Sequence, residues 1–91
     1  MVQARRYRIR GRVQGVGYRY FTKQSALRLG VRGWVRNMPG GDVEAYGEAQ
    51  REILDRFRAE LERGPSFSQV SEVIEEDLAA GGGTTSFEIR G

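Results

Sequence analysis

From Arg6 to Val13 the chain alternates, with Tyr7, Ile9, Gly11 and Val13 on one side and Arg6, Arg8, Arg10 and Arg12 on the other, which predicts a half-buried strand. A glycine-rich turn follows. Tyr18, Phe21, Thr22, Ala26 and Leu29 then recur at spacings of three and four, the stripe of an amphipathic helix over residues 19–29, and Gly30 supplies a left-handed C-terminal cap. Val31, Gly33 and Val35 alternate with Arg32, Trp34 and Arg36 as far as Asn37, a second strand, and Met38-Pro39-Gly40-Gly41-Asp42 has the composition of a turn. Val43, Ala45 and Gly47 alternate with Glu44, Tyr46 and Glu48, which predicts a hairpin partner. Ile53, Leu54, Phe57 and Leu61 mark the clearest helix, placed from Ala49 to Arg63 and closed by Gly64-Pro65. A fourth extended segment lies around Val70 to Leu78, with Val70, Val73 or Ile74, and Leu78 as its apolar members; the acidic run Glu75-Glu76-Asp77 blurs its parity. Ala79 to Ser86 reads as a loop and Phe87-Glu88-Ile89-Arg90 as a short closing strand.

The order strand, helix, strand, strand, helix, strand, with a short strand at the end, predicts an α+β ferredoxin-like α/β sandwich: a βαββαβ unit with an antiparallel sheet and both helices on one face. Topology then brings distant residues together. The first strand runs up into the glycine turn, the helix returns, and the second strand runs up again, parallel to the first through a right-handed crossover. Asn37 at its end is therefore expected at the same edge as Gly15 to Arg19.

Composition narrows the chemistry. At 91 residues the chain is read as one domain spanning residues 1–91, able to bury roughly 60–65 % of its unfolded surface. It has no cysteine and no histidine, which excludes disulfides, zinc fingers, thiol nucleophiles and every Ser-His or Cys-His arrangement. No apolar run reaches signal-peptide or membrane-span length, so a cytoplasmic protein without a membrane partner is the expectation. The formal net charge is +3, and Lys23 is the one lysine among many arginines. Planar guanidinium groups suit phosphate and carboxylate ligands, but a biased composition or surface ion pairs account for most of them equally well. Only a placed arginine carries weight.

One arginine is so placed. Gly11-Arg12-Val13-Gln14-Gly15-Val16-Gly17-Tyr18-Arg19 breaks from a strand into a glycine turn and ends on an arginine at a helix start, the layout of an anion site. A simple strand-to-helix connector has the same layout. The nucleotide P-loop needs Gly-Lys-Ser/Thr where Gly17-Tyr18-Arg19 stands, and a dinucleotide fingerprint needs a small residue at Tyr20 and an acid near Arg36 and Asn37. Neither fits. What remains is a loop able to hold one small phosphate or carboxylate.

That stretch resembles the first signature of the acylphosphatase family, and Gly33-Trp34-Val35-Arg36-Asn37 resembles its second; the order of elements and the Phe-Glu-Ile-Arg end are similar too. The resemblance covers essentially the whole chain. It implies hydrolysis of acyl phosphates to a carboxylate and inorganic phosphate, with Arg19 and Asn37 as the catalytic pair. It further implies that the backbone N–H groups of Gly15, Val16, Gly17, Tyr18 and Arg19 and the Arg19 guanidinium hold the phosphoryl oxygens while Asn37 orients a water. No metal and no cofactor is expected. The missing residues agree with this substrate, because a carboxylate leaves without a general acid. Carbamoyl phosphate, another mixed anhydride, stays open, and no residue identifies the acyl group. The partners expected are the small acyl phosphate and inorganic phosphate, for a monomer with no nucleic acid. The alternative is a single-stranded nucleic-acid-binding module using Arg6, Arg8, Arg10, Arg12, Arg32, Trp34, Arg36 and Tyr46 on the open sheet face. Glu44 and Glu48 share that face and can pair with its arginines, which argues against it.

Overall fold

Alternating runs become strands, and the two helical stripes close over them, in the computed structural model, which describes every residue from Met1 to Gly91. The elements are β1 (Val2–Arg12), α1 (Tyr18–Leu29), β2 (Arg32–Asn37), β3 (Val43–Gln50), α2 (Arg51–Arg63), β4 (Gln69–Leu78) and β5 (Phe87–Arg90). The sheet order is β4-β1-β3-β2-β5. β1 pairs antiparallel with β3 and β4, β2 pairs antiparallel with β3, and β5 runs parallel to β2. The expectation of an antiparallel sheet is corrected accordingly: the sheet is mixed. The cause lies in the connection. β4 descends one edge, residues 79–86 carry the chain to the other edge, and from there β5 can only ascend beside β2. Four inter-strand gaps amount to about 19 Å, which eight extended residues span easily at about 26 Å.

α1 lies over β2 and β5 and α2 over β1, β3 and β4, so both helices cover one face. Between the layers sit Tyr7, Ile9, Val35, Val43 and Phe87 from the sheet and Ala26, Leu54, Phe57 and Leu61 from the helices, all essentially buried. Phe57 is the centre: its ring meets Tyr7 edge-on at 5.6 Å and Phe87 at 5.9 Å. Gly47 of β3 lets the helical layer settle, because a Cβ there would stand 2.9 Å from a Val31 methyl and 3.4 Å from both Leu54 and Phe57.

Three boundaries differ from the periodicity, each for a tertiary reason. Ala49 and Gln50 belong to β3 rather than to the second helix, since Ala49 is buried opposite Gln3 and Gln50 keeps an extended backbone. β1 starts at Val2, where its pairing with β3 begins. In β4 the parity changes because of a bulge opposite Arg10 and Gly11: Glu72 pairs with Arg10 and Val70 with Gly11, which leaves Ser71 as the extra residue. Val70 and Val73 thus both turn to the core while Ile74 is exposed.

The open face is less open than alternation implies. Glu44, Tyr46 and Glu48 are 9 %, 8 % and 3 % exposed. Glu48 accepts hydrogen bonds from the Tyr46 hydroxyl at 2.5 Å and from the Gly82 N–H at 2.7 Å, so the 79–86 loop lies across them.

Candidate active site

The turn between β1 and α1 owes its shape to two glycines. Gly15 and Gly17 have φ of 77° and 78°, the left-handed region that side chains disfavour. A Cβ at either would meet nothing within 4 Å, so it is the backbone conformation that requires glycine, and the space above stays open. Gly17 is the N-cap of α1 and offers no side-chain cap; its carbonyl accepts the Phe21 N–H at 3.0 Å. The N–H groups of Tyr18, Arg19 and Tyr20 are left without a partner inside the helix. No acidic residue occupies the first turn. The helix dipole therefore presents its positive end to the cleft uncompensated.

Side chains on either side fix this turn in place. Tyr18 is a core residue at 1 % exposure whose hydroxyl donates to the Leu61 carbonyl at 2.6 Å, and burial pushes its phenol well above the ordinary value. The Val16 side chain packs against the core. Gln14 reaches the other way: its Nε2 donates to the carbonyls of Met38 and Asp42, both at 2.9 Å, tying the turn to the β2–β3 hairpin. Asn37, the last residue of β2, stands at the root of that hairpin.

A cleft of about 240 Å³ is lined by Val13, Gly15, Gly17, Tyr18, Arg19, Tyr20, Asn37 and Ile89. Arg19 and Asn37, 18 positions apart in the chain, thus share one wall, as the crossover requires. Arg19 donates from Nη1 to the main-chain oxygen of Gly91 at 3.0 Å, which holds its guanidinium at the edge of the cleft. The Asn37 Oδ1 is buried and has no hydrogen-bond partner. The arrangement can hold a small oxyanion on α1 and Arg19 with a polar molecule beside it near the Asn37 amide.

Gln14, Tyr20, Ile89 and Gly91 were not among the residues expected at the site. Gln14 lies inside the glycine stretch, and Tyr20 was visible as an aromatic residue off the helix stripe. Ile89 and Gly91 reach the cleft only through the parallel pairing of β5 with β2, for which local sequence carries no signal.

The open sheet face, on which the nucleic-acid alternative depends, is matched within itself. Arg36 pairs with Glu44 at 2.7 Å, Arg8 with Asp42 at 2.7 Å, Arg6 with Glu76 at 2.5 Å, and Arg32 lies 3.7 Å from Glu48. Trp34 stacks on Tyr46 with centroids 5.9 Å apart, and Arg90 lies over its ring at 5.0 Å.

A mixed βαββαβ sandwich with its glycine turn, uncapped helix start and arginine at one edge defines a small α/β protein with a cleft suited to an anion. The acylphosphatase family model matches residues 5–89, and the chain belongs to that family. It is 44 % identical to an acylphosphatase from Koribacter versatilis over 98 % of this chain and 81 % of that one. An acylphosphatase from Methanothrix thermoacetophila is 52 % identical over 72 % of this chain and 73 % of its own. The crystal structure of the Bacillus subtilis acylphosphatase superposes with a TM-score of 0.93 at 34 % identity, covering 99 % of both chains. The protein is accordingly a hydrolase of acid anhydrides, acting on acyl phosphates. No helix is long and apolar enough to cross a membrane.

Proposed function

We propose that this cleft hydrolyses the acyl phosphate with the phosphoryl group on the turn Gly15–Arg19 and the water on Asn37. The backbone N–H groups of Gly15, Val16, Gly17, Tyr18 and Arg19, together with the Arg19 guanidinium, hold the phosphoryl oxygens. The Asn37 amide positions a water for in-line attack on phosphorus. The P–O bond to the acyl oxygen breaks, the carboxylate leaves with its electron pair, and the proton of the water passes to a phosphoryl oxygen. Carboxylic acids ionise near pH 4, so the leaving group needs no proton and the absent histidines are no handicap. The observation that carries this reading is that Asn37 lines the same cleft as Arg19 and the uncapped start of α1. All of these groups come from one chain, which supports a monomer acting on a small molecule; the cytoplasm is the setting we assign to it.

The test is phosphate release from benzoyl phosphate, with and without a chelator. Removing one preorganised donor from such a site costs about 100- to 1000-fold in kcat. Arg19→Ala is expected to lose turnover on that scale and to weaken inhibition by inorganic phosphate. Asn37→Ala is expected to lose turnover while keeping that inhibition. Unchanged rates in both variants would overturn the assignment.

A further inference from the structure

Most of the cleft wall is committed once the phosphoryl group and the water are in place. Val13 and Tyr18 are core side chains at 1 % exposure, Gly15 and Gly17 offer backbone only, and Arg19 and Asn37 serve the reacting groups. What remains is Tyr20, on the first turn of α1, and Ile89, on β5. Each is a large apolar side chain standing in solvent, 64 % and 41 % exposed. Phe87 of β5 is buried beneath the helices, so strand alternation sets Ile89 on the same face as α1. We propose that Tyr20 and Ile89 form the wall that receives the acyl group, and that the enzyme therefore prefers acyl phosphates with a neutral, apolar acyl group to those whose acyl chain carries a second anion. The inference rests on the reading of the cleft given above.

The competing surface is the groove formed by Arg6, Trp34, Arg36, Glu44 and Arg90 on the open sheet face, which meets the cleft at Asn37. Its arginines suggest an anionic acyl chain. In-line displacement excludes this, because the leaving oxygen departs on the side of phosphorus opposite the water, and the water is on Asn37. An acyl chain cannot extend past the very residue that holds the nucleophile. The arginines are also occupied: Arg36 and Arg6 both approach Glu44, at 2.7 and 3.7 Å, and Arg90 covers Trp34.

Both wall residues are exposed, so substitution leaves the core untouched and the ratio of two substrates reports the acyl contact alone. Wild type, Tyr20→Ala, Tyr20→Phe and Ile89→Ala are compared on benzoyl, acetyl and succinyl phosphate. Wild type is expected to favour benzoyl phosphate in kcat/KM. A few carbon atoms in an apolar contact discriminate by about tenfold or more; the benzoyl-to-acetyl ratio is expected to fall about tenfold in Tyr20→Ala, and by less in Ile89→Ala. Tyr20→Phe, which keeps the ring, is expected to keep the ratio. The proposal is overturned if the ratio is the same in all four proteins, or if Tyr20→Phe loses as much as Tyr20→Ala. It is equally overturned if succinyl phosphate is the best substrate and Arg90→Ala removes that preference. Loss of all three activities in wild type defeats the underlying reading of the cleft, a result distinct from hydrolysis without acyl discrimination.

Discussion

At the residue scale, Tyr18 shows how a site and a core share one position. Its backbone N–H faces the cleft, while its ring and hydroxyl serve the packing of the two helices. The Leu61 carbonyl lies in the last turn of α2, where its helical partner four residues on is Pro65, which has no N–H. The Tyr18 hydroxyl fills that vacancy at 2.6 Å. Tyr18→Phe keeps the ring and leaves the carbonyl buried without a donor, so stability is expected to fall by about 1–3 kcal/mol, read as a lower urea midpoint at unchanged slope. An unchanged midpoint means that water takes the place of the hydroxyl.

At the scale of elements, what matters is how the β1–α1 turn is registered against the β2–β3 hairpin. Gln14 alone bridges them, with both amide protons on hairpin carbonyls. Gln14→Ala frees the hairpin to shift, and with it Asn37. Misplacing a reacting group by about 1 Å costs up to a hundredfold; kcat is expected to fall on that scale, with a smaller change in inhibition by inorganic phosphate, which we place on the turn itself. Equal losses in both would instead point to a collapsed turn. The elements were largely legible along the chain because each strand with one buried face alternates and each helix over the sheet has one apolar stripe. Arg19 and Asn37 were legible as well, since the crossover alone brings them to one edge. Other features were settled by distant partners. Ser71 bulges because of its pairing with β1, Ala49 stays in β3 because Gln3 lies opposite, and Glu48 is buried because a loop three dozen residues later crosses it. Tyr20 lies off the apolar stripe of α1 and Ile89 lies on the alternation of β5, and neither pattern separates a core position from one beside a cleft.

At the scale of the whole molecule, charge ties the layers together. Arg5, on the helix-facing side of β1, is 6 % exposed and reaches Asp55 of α2 at 2.7 Å and Asp77 of β4 at 3.2 Å. The hydrogen bond from Arg5 holds the Asp55 carboxyl below its usual value, and the Tyr46 hydroxyl does the same for Glu48. Both carboxylates bind a proton more weakly in the folded than in the unfolded state. Their stabilisation is thus complete above the unfolded values of 3.8 and 4.5 and is lost as the pH falls through the lower folded values. The urea midpoint is expected to hold steady from neutrality to about pH 5 and to drop below pH 4. Glu48→Gln is expected to weaken the protein at neutral pH and to flatten that acid limb; an acid limb of unchanged depth would assign it to other groups. The contact between Arg19 and the main-chain oxygen of Gly91, 72 positions apart, has a consequence in time. Contacts between residues far apart in the chain form late, after the entropy of closing the intervening chain has been met. During synthesis the turn at residues 15–19 emerges early, but the Arg19 guanidinium is anchored only once β5 has formed. Until then no other side chain or main-chain group of the fold holds the Arg19 guanidinium in place.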